Sequence, residues 1–183
     1  MRRLRYSVAA TLDGFIADPD GGYDWIIMDE AIDFARTFEE FDTFVMGRKT
    51  WEVSAQTDFV QMFGGKEVIV FSRTLQSPPH PGVKLVNTSP VDTVRELKQK
   101  PGKDIWLFGG GSLFRTLVDA GLVDTVEVGI MPVLLSQGIQ LLPAGDRITG
   151  LKLESCETLP KSGIVMLSYS IPPSARPKPG AAS

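Results

Sequence analysis

Short apolar runs rich in Val, Ile and Phe alternate along this chain with segments whose apolar residues recur three and four apart, the periods of strand and helix. Residues 4–10 read as a strand, followed by a loop through Asp13, Gly14 and the Asp-Pro-Asp-Gly-Gly turn at 18–22. Residues 29–40 predict a helix with Ile32, Ala35 and Phe38 on one stripe. Strands at 43–46, 68–71 and 83–86 come next, then a charged helix over 90–100 whose Pro90 suits a first turn. Residues 105–108 and 125–129 supply two more apolar strands, with a helix-like stretch over 112–122 between them. Strands alternating with helices predict an α/β fold around a mostly parallel sheet.

The end differs in kind. Residues 151–157 and 164–171 alternate polar and apolar and flank a turn at 160–163, which predicts a C-terminal β-hairpin and therefore a mixed sheet. Residues 172–183 are too rich in proline and small side chains to build a core and read as a disordered tail. A single domain over residues 1–171 is the expected organisation, because a chain of 183 residues has the usual size of one domain with a sizeable core.

Three loops, each at the end of an apolar strand, carry the candidate chemistry. Gly109, Gly110 and Gly111 follow Ile-Trp-Leu-Phe and precede the helix-like stretch, so bare backbone amides at a helix start are available to a phosphate. A dinucleotide Gly-x-Gly-x-x-Gly fingerprint fails there, because its third glycine falls on Phe114 and no acidic residue follows at the ribose spacing. The second loop passes from Gly47 into Arg48, Lys49 and Thr50, two cations and a hydroxyl at a second helix start. The third places Ser72 and Arg73 after a β-branched strand, and the planar guanidinium fork of Arg73 suits the oxygens of a ribose phosphate. In open α/β sheets ligands bind beyond the carboxyl ends of the strands, so the three loops together point to a nucleotide.

Charge and composition narrow the picture. With 22 acidic and 19 basic residues the net charge is −3, so no broad basic field recruits nucleic acid or an anionic membrane. One cysteine, Cys156, excludes an internal disulfide, and one histidine, His80, excludes the ordinary Cys/His zinc sets; no metal is expected. His80 lies in a proline-rich turn, which argues against a Ser-His-Asp site. No apolar run approaches the ~20 residues of a membrane span, the first residues lack a signal-peptide pattern, and a cytoplasmic setting is expected. Three more residues are candidates for the substrate side. Asp13 suits either contact with a ligand or a plain Asp-Gly turn, and Trp25 either stacking on a flat ring or ordinary packing. Asp33 suits either a catalytic carboxylate or a solvated helix-face charge.

The same residues carry a resemblance. Thr-Leu-Asp-Gly-Phe-Ile-Ala (11–17), Asp-Trp-Ile (24–26), Val-Met-Gly-Arg-Lys-Thr-Trp-Glu (45–52), Phe-Ser-Arg-Thr-Leu (71–75), Phe-Gly-Gly-Gly-Ser-Leu (108–113), Leu-Val-Asp-Ala-Gly-Leu-Val-Asp (117–124) and Pro-Val-Leu-Leu (132–135) stand in an order similar to the dihydrofolate-reductase-like superfamily. The riboflavin-pathway reductase domains are the closer relatives. The resemblance implies a three-layer α/β/α fold, a homodimer formed through the sheet edge or terminal hairpin, and hydride transfer from NADPH to a small pyrimidine- or pterin-like heterocycle. The activity implied is similar to that of 5-amino-6-(5-phosphoribosylamino)uracil reductase; a dihydrofolate reductase and an NADPH-binding module without turnover are the alternatives. By position, Gly47, Arg48, Lys49 and Thr50 would hold phosphates, Ser72 and Arg73 the adenosine 2′-phosphate, Gly109, Gly110, Gly111, Ser112 and Leu113 the pyrophosphate, and Ala9, Ala10 and Ile16 the nicotinamide. The riboflavin reductases share an acidic residue before the glycine loop and a basic one late in the first helix; here those places hold Phe108 and the run Phe38, Glu39, Glu40.

Overall fold

The structure is a computed structural model that describes residues 1–56 and 63–175. Its centre is an eight-stranded sheet in the order β5-β4-β3-β6-β1-β7-β10-β9. Six of its strands, β1 (Leu4–Thr11), β3 (Phe41–Gly47), β4 (Glu67–Phe71), β5 (Val83–Val86), β6 (Asp104–Gly109) and β7 (Thr125–Met131), pair in parallel, with β5 at one edge. The hairpin β9 (Lys152–Leu159) and β10 (Ile164–Ser170) adds an antiparallel edge against β7. The short pair β2 (Phe15–Ala17) and β8 (Ile139–Gln140), too brief to show a period in the sequence, forms a separate two-stranded sheet.

Parallel strands need crossover helices on the sheet faces, and both faces are covered accordingly. On one face α3 (Pro90–Gln99) and α4 (Gly111–Asp119) bury Val94, Leu97, Leu113 and Leu117 against Leu4, Tyr6, Val45 and Leu107. The other carries α1 (Phe34–Glu39) and α2 (Arg48–Ser54), whose Phe38 and Trp51 join Phe41, Phe44, Met46 and Trp106 in an aromatic cluster. The result is the three-layer α/β/α arrangement with a mixed, mostly parallel sheet that the pattern of elements predicts.

Two elements differ from the sequence reading. The helix expected over residues 29–40 is confined to Phe34–Glu39, because the Asp29 carboxylate accepts the Ala31 amide and forms a turn, and Asp33 then caps the helix start. The expected tail begins with order: Pro173–Ala175 form a 3-10 turn, and the Ala175 carbonyl accepts a hydrogen bond from Arg147 at 2.9 Å. The remainder of that stretch lies outside the described residues.

Buried charge, which composition alone does not reveal, ties the lower strand ends together. Arg5 spans Glu127, Glu40 and Asp104 and lies 4.5 Å over the Phe41 ring. Burial opposes its charge, but the carboxylates of Glu127 and Glu40 more than offset that and raise its pKa further. Lys98, also buried, donates to the Leu122 carbonyl at 2.7 Å and to Asp124. Such pairs fix strand register, and removing one partner strands a buried charge.

Candidate functional site

Because β3, β4 and β6 run parallel, their carboxyl ends lie side by side, and each opens into one of the three loops read from the sequence. At the end of β3, Gly47 leads into α2, a helix with no side-chain cap. At the end of β6, Gly110 has φ +100, a conformation favouring glycine, and α4 begins at Gly111, again with no side-chain cap. The loops touch: a Cβ on Gly109 would sit 2.9 Å from Thr50 Cγ2, and one on Gly110 would sit 3.8 Å from the Gly47 amide nitrogen. Gly111 is closed on its other side, where a Cβ would meet the Gln140 carbonyl oxygen at 2.6 Å.

The free amides of the first turn of α4, those of Gly111, Ser112 and Leu113, therefore adjoin the cations and hydroxyl of the β3 loop, the donor set a diphosphate requires. The helix is held in place by Phe114, stacked on buried Tyr6 with centroids 3.8 Å apart. Arg48 pairs with Glu52 at 3.0 Å, whereas Lys49 is exposed. At the end of β4, buried Ser72 accepts the Thr74 and Leu75 amides at 3.2 and 3.1 Å, so its hydroxyl shapes the turn that holds Arg73 exposed. Donor type, exposed cations and the uncapped helix fit a phosphorylated dinucleotide such as NADPH.

The nicotinamide candidates divide between the faces of β1. Ala10 is fully buried in the core under α4, so only its backbone is available to a ligand. Ile16 packs on the same core, while Ala9 lies half buried on the opposite face beside Trp25.

The three substrate-side candidates have distinct surroundings. Asp13 accepts the Thr11 hydroxyl at 2.6 Å, the Leu135 amide at 3.0 Å and the Ser136 amide at 2.7 Å, so it clamps the β1 loop to residues 135–136. These bonds, that from Thr11 above all, hold its carboxyl below the ordinary carboxylate range. Asp33 is exposed and accepts the Arg36 amide at 2.9 Å as the α1 cap. Trp25 packs with Ile26, Ile32 and Val133 around Met131, and its indole N–H is buried without a hydrogen-bond acceptor.

Asp29 belongs with these residues although no sequence signal set it above Asp33. It is 8% exposed, its Oδ1 accepts the Ala31 amide at 2.9 Å and its Oδ2 is enclosed. The Ser162 hydroxyl, then the Ala31 amide, hold its carboxyl below the usual range, so it is an anion at neutral pH. His80, by contrast, stays within its own turn, its Nδ1 accepting the Gly82 amide at 3.2 Å. A cavity of about 800 Å³ beside Arg3, Arg5 and Glu127 lies at the opposite strand ends, away from all three loops.

This arrangement agrees with what the chain is similar to. The family model of the RibD C-terminal domain matches residues 2–165. This chain belongs to the RibD C-terminal domain family. The Bacillus subtilis protein YyaP is 34% identical over 179 residues, covering 92% of this chain and 94% of its own. Among solved structures, a putative riboflavin biosynthesis protein from Shewanella sp. PV-4 superposes with a TM-score of 0.74 at 26% identity, covering 93% of this chain and 98% of its own. A dihydrofolate reductase from Enterococcus faecalis, complexed with NADP(H), shares the fold with a TM-score of 0.70 at 16% identity, over 92% of this chain and 95% of its own. The RibD C-terminal fold is thus the dihydrofolate-reductase-like fold. Among the described residues no helix is long and apolar enough to cross a membrane, and no group of His, Cys, Asp and Glu could hold a metal.

Proposed function

We propose that this protein is a cytoplasmic NADPH-dependent reductase of a small pyrimidine- or pterin-like heterocycle, working as a homodimer. The observation that carries the reading is the meeting of two uncapped helix starts, Gly47 to Thr50 and Gly109 to Leu113, beside the exposed cation Arg73 on neighbouring parallel strand ends. NADPH, when bound, supplies the hydride for a C=N or C=O carbon. The chain's own part is positioning: backbone amides and Lys49 take the diphosphate, Arg73 the 2′-phosphate, and β1 at Ala9 and Ala10 lines the ring. Water supplies the proton. The hairpin supports the dimer, since seven residues of edge strand β9, Lys152 to Thr158, are exposed on both faces.

The test is titration of NADPH and NADH against tryptophan emission, with wild type and Arg73→Ala side by side. The expected result is NADPH binding that the variant weakens about 10-fold or more, the worth of a hydrogen bond to a charged group, with NADH unaffected. Failure to bind NADPH would overturn the reading. One observation favours a module that binds NADPH without turnover, namely that Asp33, the expected catalytic carboxylate, is a helix cap. That alternative predicts binding with no oxidation by any heterocycle.

A further inference from the structure

The turn that carries Arg73 is held from two places. Ser72, the residue after β4, accepts the Thr74 and Leu75 amides on its hydroxyl, so residues 72–75 fold around that oxygen. Its own amide donates to the Val86 carbonyl at 3.1 Å and extends the contact between β4 and β5 by one residue. From there the chain runs without strand or helix to Val83. Among the described residues, one hydrogen bond reaches residues 73–76 from outside the turn: the Asn87 side-chain amide donates to the Leu75 carbonyl at 2.8 Å.

An asparagine after a strand ordinarily bonds its own backbone two residues on and forms a local turn. Here the bond instead joins positions 12 apart and ties the end of β4 to the end of β5. Asn87 is itself fixed on both sides. Val86 before it pairs with Phe71, and Ser89 after it caps α3 by accepting the Asp92 amide at 3.3 Å, while Val94 and Leu97 seat that helix in the core.

What the turn presents is an available cation. Arg73 is exposed and, among the described residues, makes no ion pair or hydrogen bond. No Asp or Glu occurs from Val68 to Val91, so no carboxylate of its own segment competes for it. A guanidinium gains most from a phosphate when its fork meets two oxygens at once, and a backbone already fixed leaves less freedom to lose on binding.

We propose that Asn87 is a positioning residue that sets the preference for NADPH over NADH: by holding the Leu75 carbonyl it fixes the turn from which Arg73 reaches the 2′-phosphate. This rests on the reductase reading above for the ligand. Asn87 acts through the turn, without touching the cofactor.

The test is a double-mutant cycle. NADPH and NADH are titrated against tryptophan emission in wild type, Asn87→Ala, Arg73→Ala and the double variant, with Asn87→Leu as a second replacement of similar shape that also lacks a donor. Circular dichroism and thermal unfolding check the fold. Loss of one neutral hydrogen bond is expected to weaken NADPH binding about 2–10-fold in both Asn87 variants and to leave NADH binding within about 2-fold of wild type. In the Arg73→Ala background the Asn87→Ala change is expected to move NADPH binding by less than about 2-fold, because the group it positions is gone. Weakening of NADPH by less than about 2-fold, equal weakening of NADH, an undiminished effect in the Arg73→Ala background, or loss of fold in both Asn87 variants would overturn the proposal. Failure of wild type to bind NADPH sinks the reductase reading and this inference with it; NADPH binding with an unchanged cofactor preference in the Asn87 variants sinks this inference alone.

Discussion

Replacing Gly111 with alanine sets two known effects against each other. Alanine in place of glycine favours a helix by at most about 1 kcal/mol, and Gly111 begins α4, so propensity alone predicts a more stable protein. The tertiary surroundings predict the reverse. The added Cβ would lie 2.6 Å from the Gln140 carbonyl oxygen and 3.1 Å from Pro143 Cδ, well inside the ~3.5 Å at which non-bonded atoms attract. Gln140 belongs to β8, which pairs with β2, so relief requires moving backbone rather than turning a side chain. Overpacking costs about 1–3 kcal/mol, and a clash with backbone belongs in the upper part of that range, about 2–3 kcal/mol, which leaves a net loss of roughly 1–2 kcal/mol after the helix gain. For a chain of this size that is a fall in Tm of about 2–8 °C. The assay is urea and thermal unfolding followed by circular dichroism, with NADPH affinity measured on the same samples. Gly47→Ala is the control, since a Cβ there meets nothing within 4 Å and the φ is an ordinary −80. Equal or greater stability of Gly111→Ala, or an equal loss in Gly47→Ala, would refute the steric argument.

Asp33→Ala is expected to cost about 1 kcal/mol of stability through loss of the α1 cap while NADPH turnover is unchanged, whereas Asp29→Asn is expected to lower stability at neutral pH, because the folded state favours the Asp29 anion; equal urea midpoints for Asp29→Asn and wild type would count against that. Asp13 has a carboxyl depressed in the folded state, so its contribution is present above the unfolded value of about 3.9 and is lost as pH falls through the lower folded value. Hydrogen exchange should therefore find the Leu135 and Ser136 amides protected at pH 6 and progressively unprotected in acid, with Asp13→Asn unprotected at both; equal protection in wild type and variant would count against the clamp. Light scattering at micromolar concentration is expected to return twice the 20.0 kDa chain mass, and charged replacements at the exposed Leu151 and Leu153 are expected to return a monomer. A wild-type monomer would remove the dimer from the proposal.

Much of the fold was legible because its signals are local. The β-branched runs at 68–71 and 105–108, the proline at the start of α3 and the alternation of the hairpin each state a backbone preference that the packed molecule keeps. Gly109 to Gly111 and Gly47 to Thr50 were readable as strand-end loops for the same reason. What the sequence could not rank was carboxylates. Asp29 and Asp33 lie four residues apart in one polar stretch, and only the meeting of residues 29–32 with the hairpin turn near Ser162 buries the first and leaves the second as an exposed cap. Strand order likewise lies beyond local pattern: it takes the β3–β6 pairing to set Thr50 against Gly109, and the β6–β1 pairing to bring the Trp106 indole N–H onto the Ser7 carbonyl at 2.9 Å. The sequence by itself determined where most strands, helices and strand-end loops lie, because those depend on neighbours along the chain. The tertiary structure decided which charges are buried and which loops meet at the strand ends, because burial and contact depend on residues brought together from distant parts of the chain.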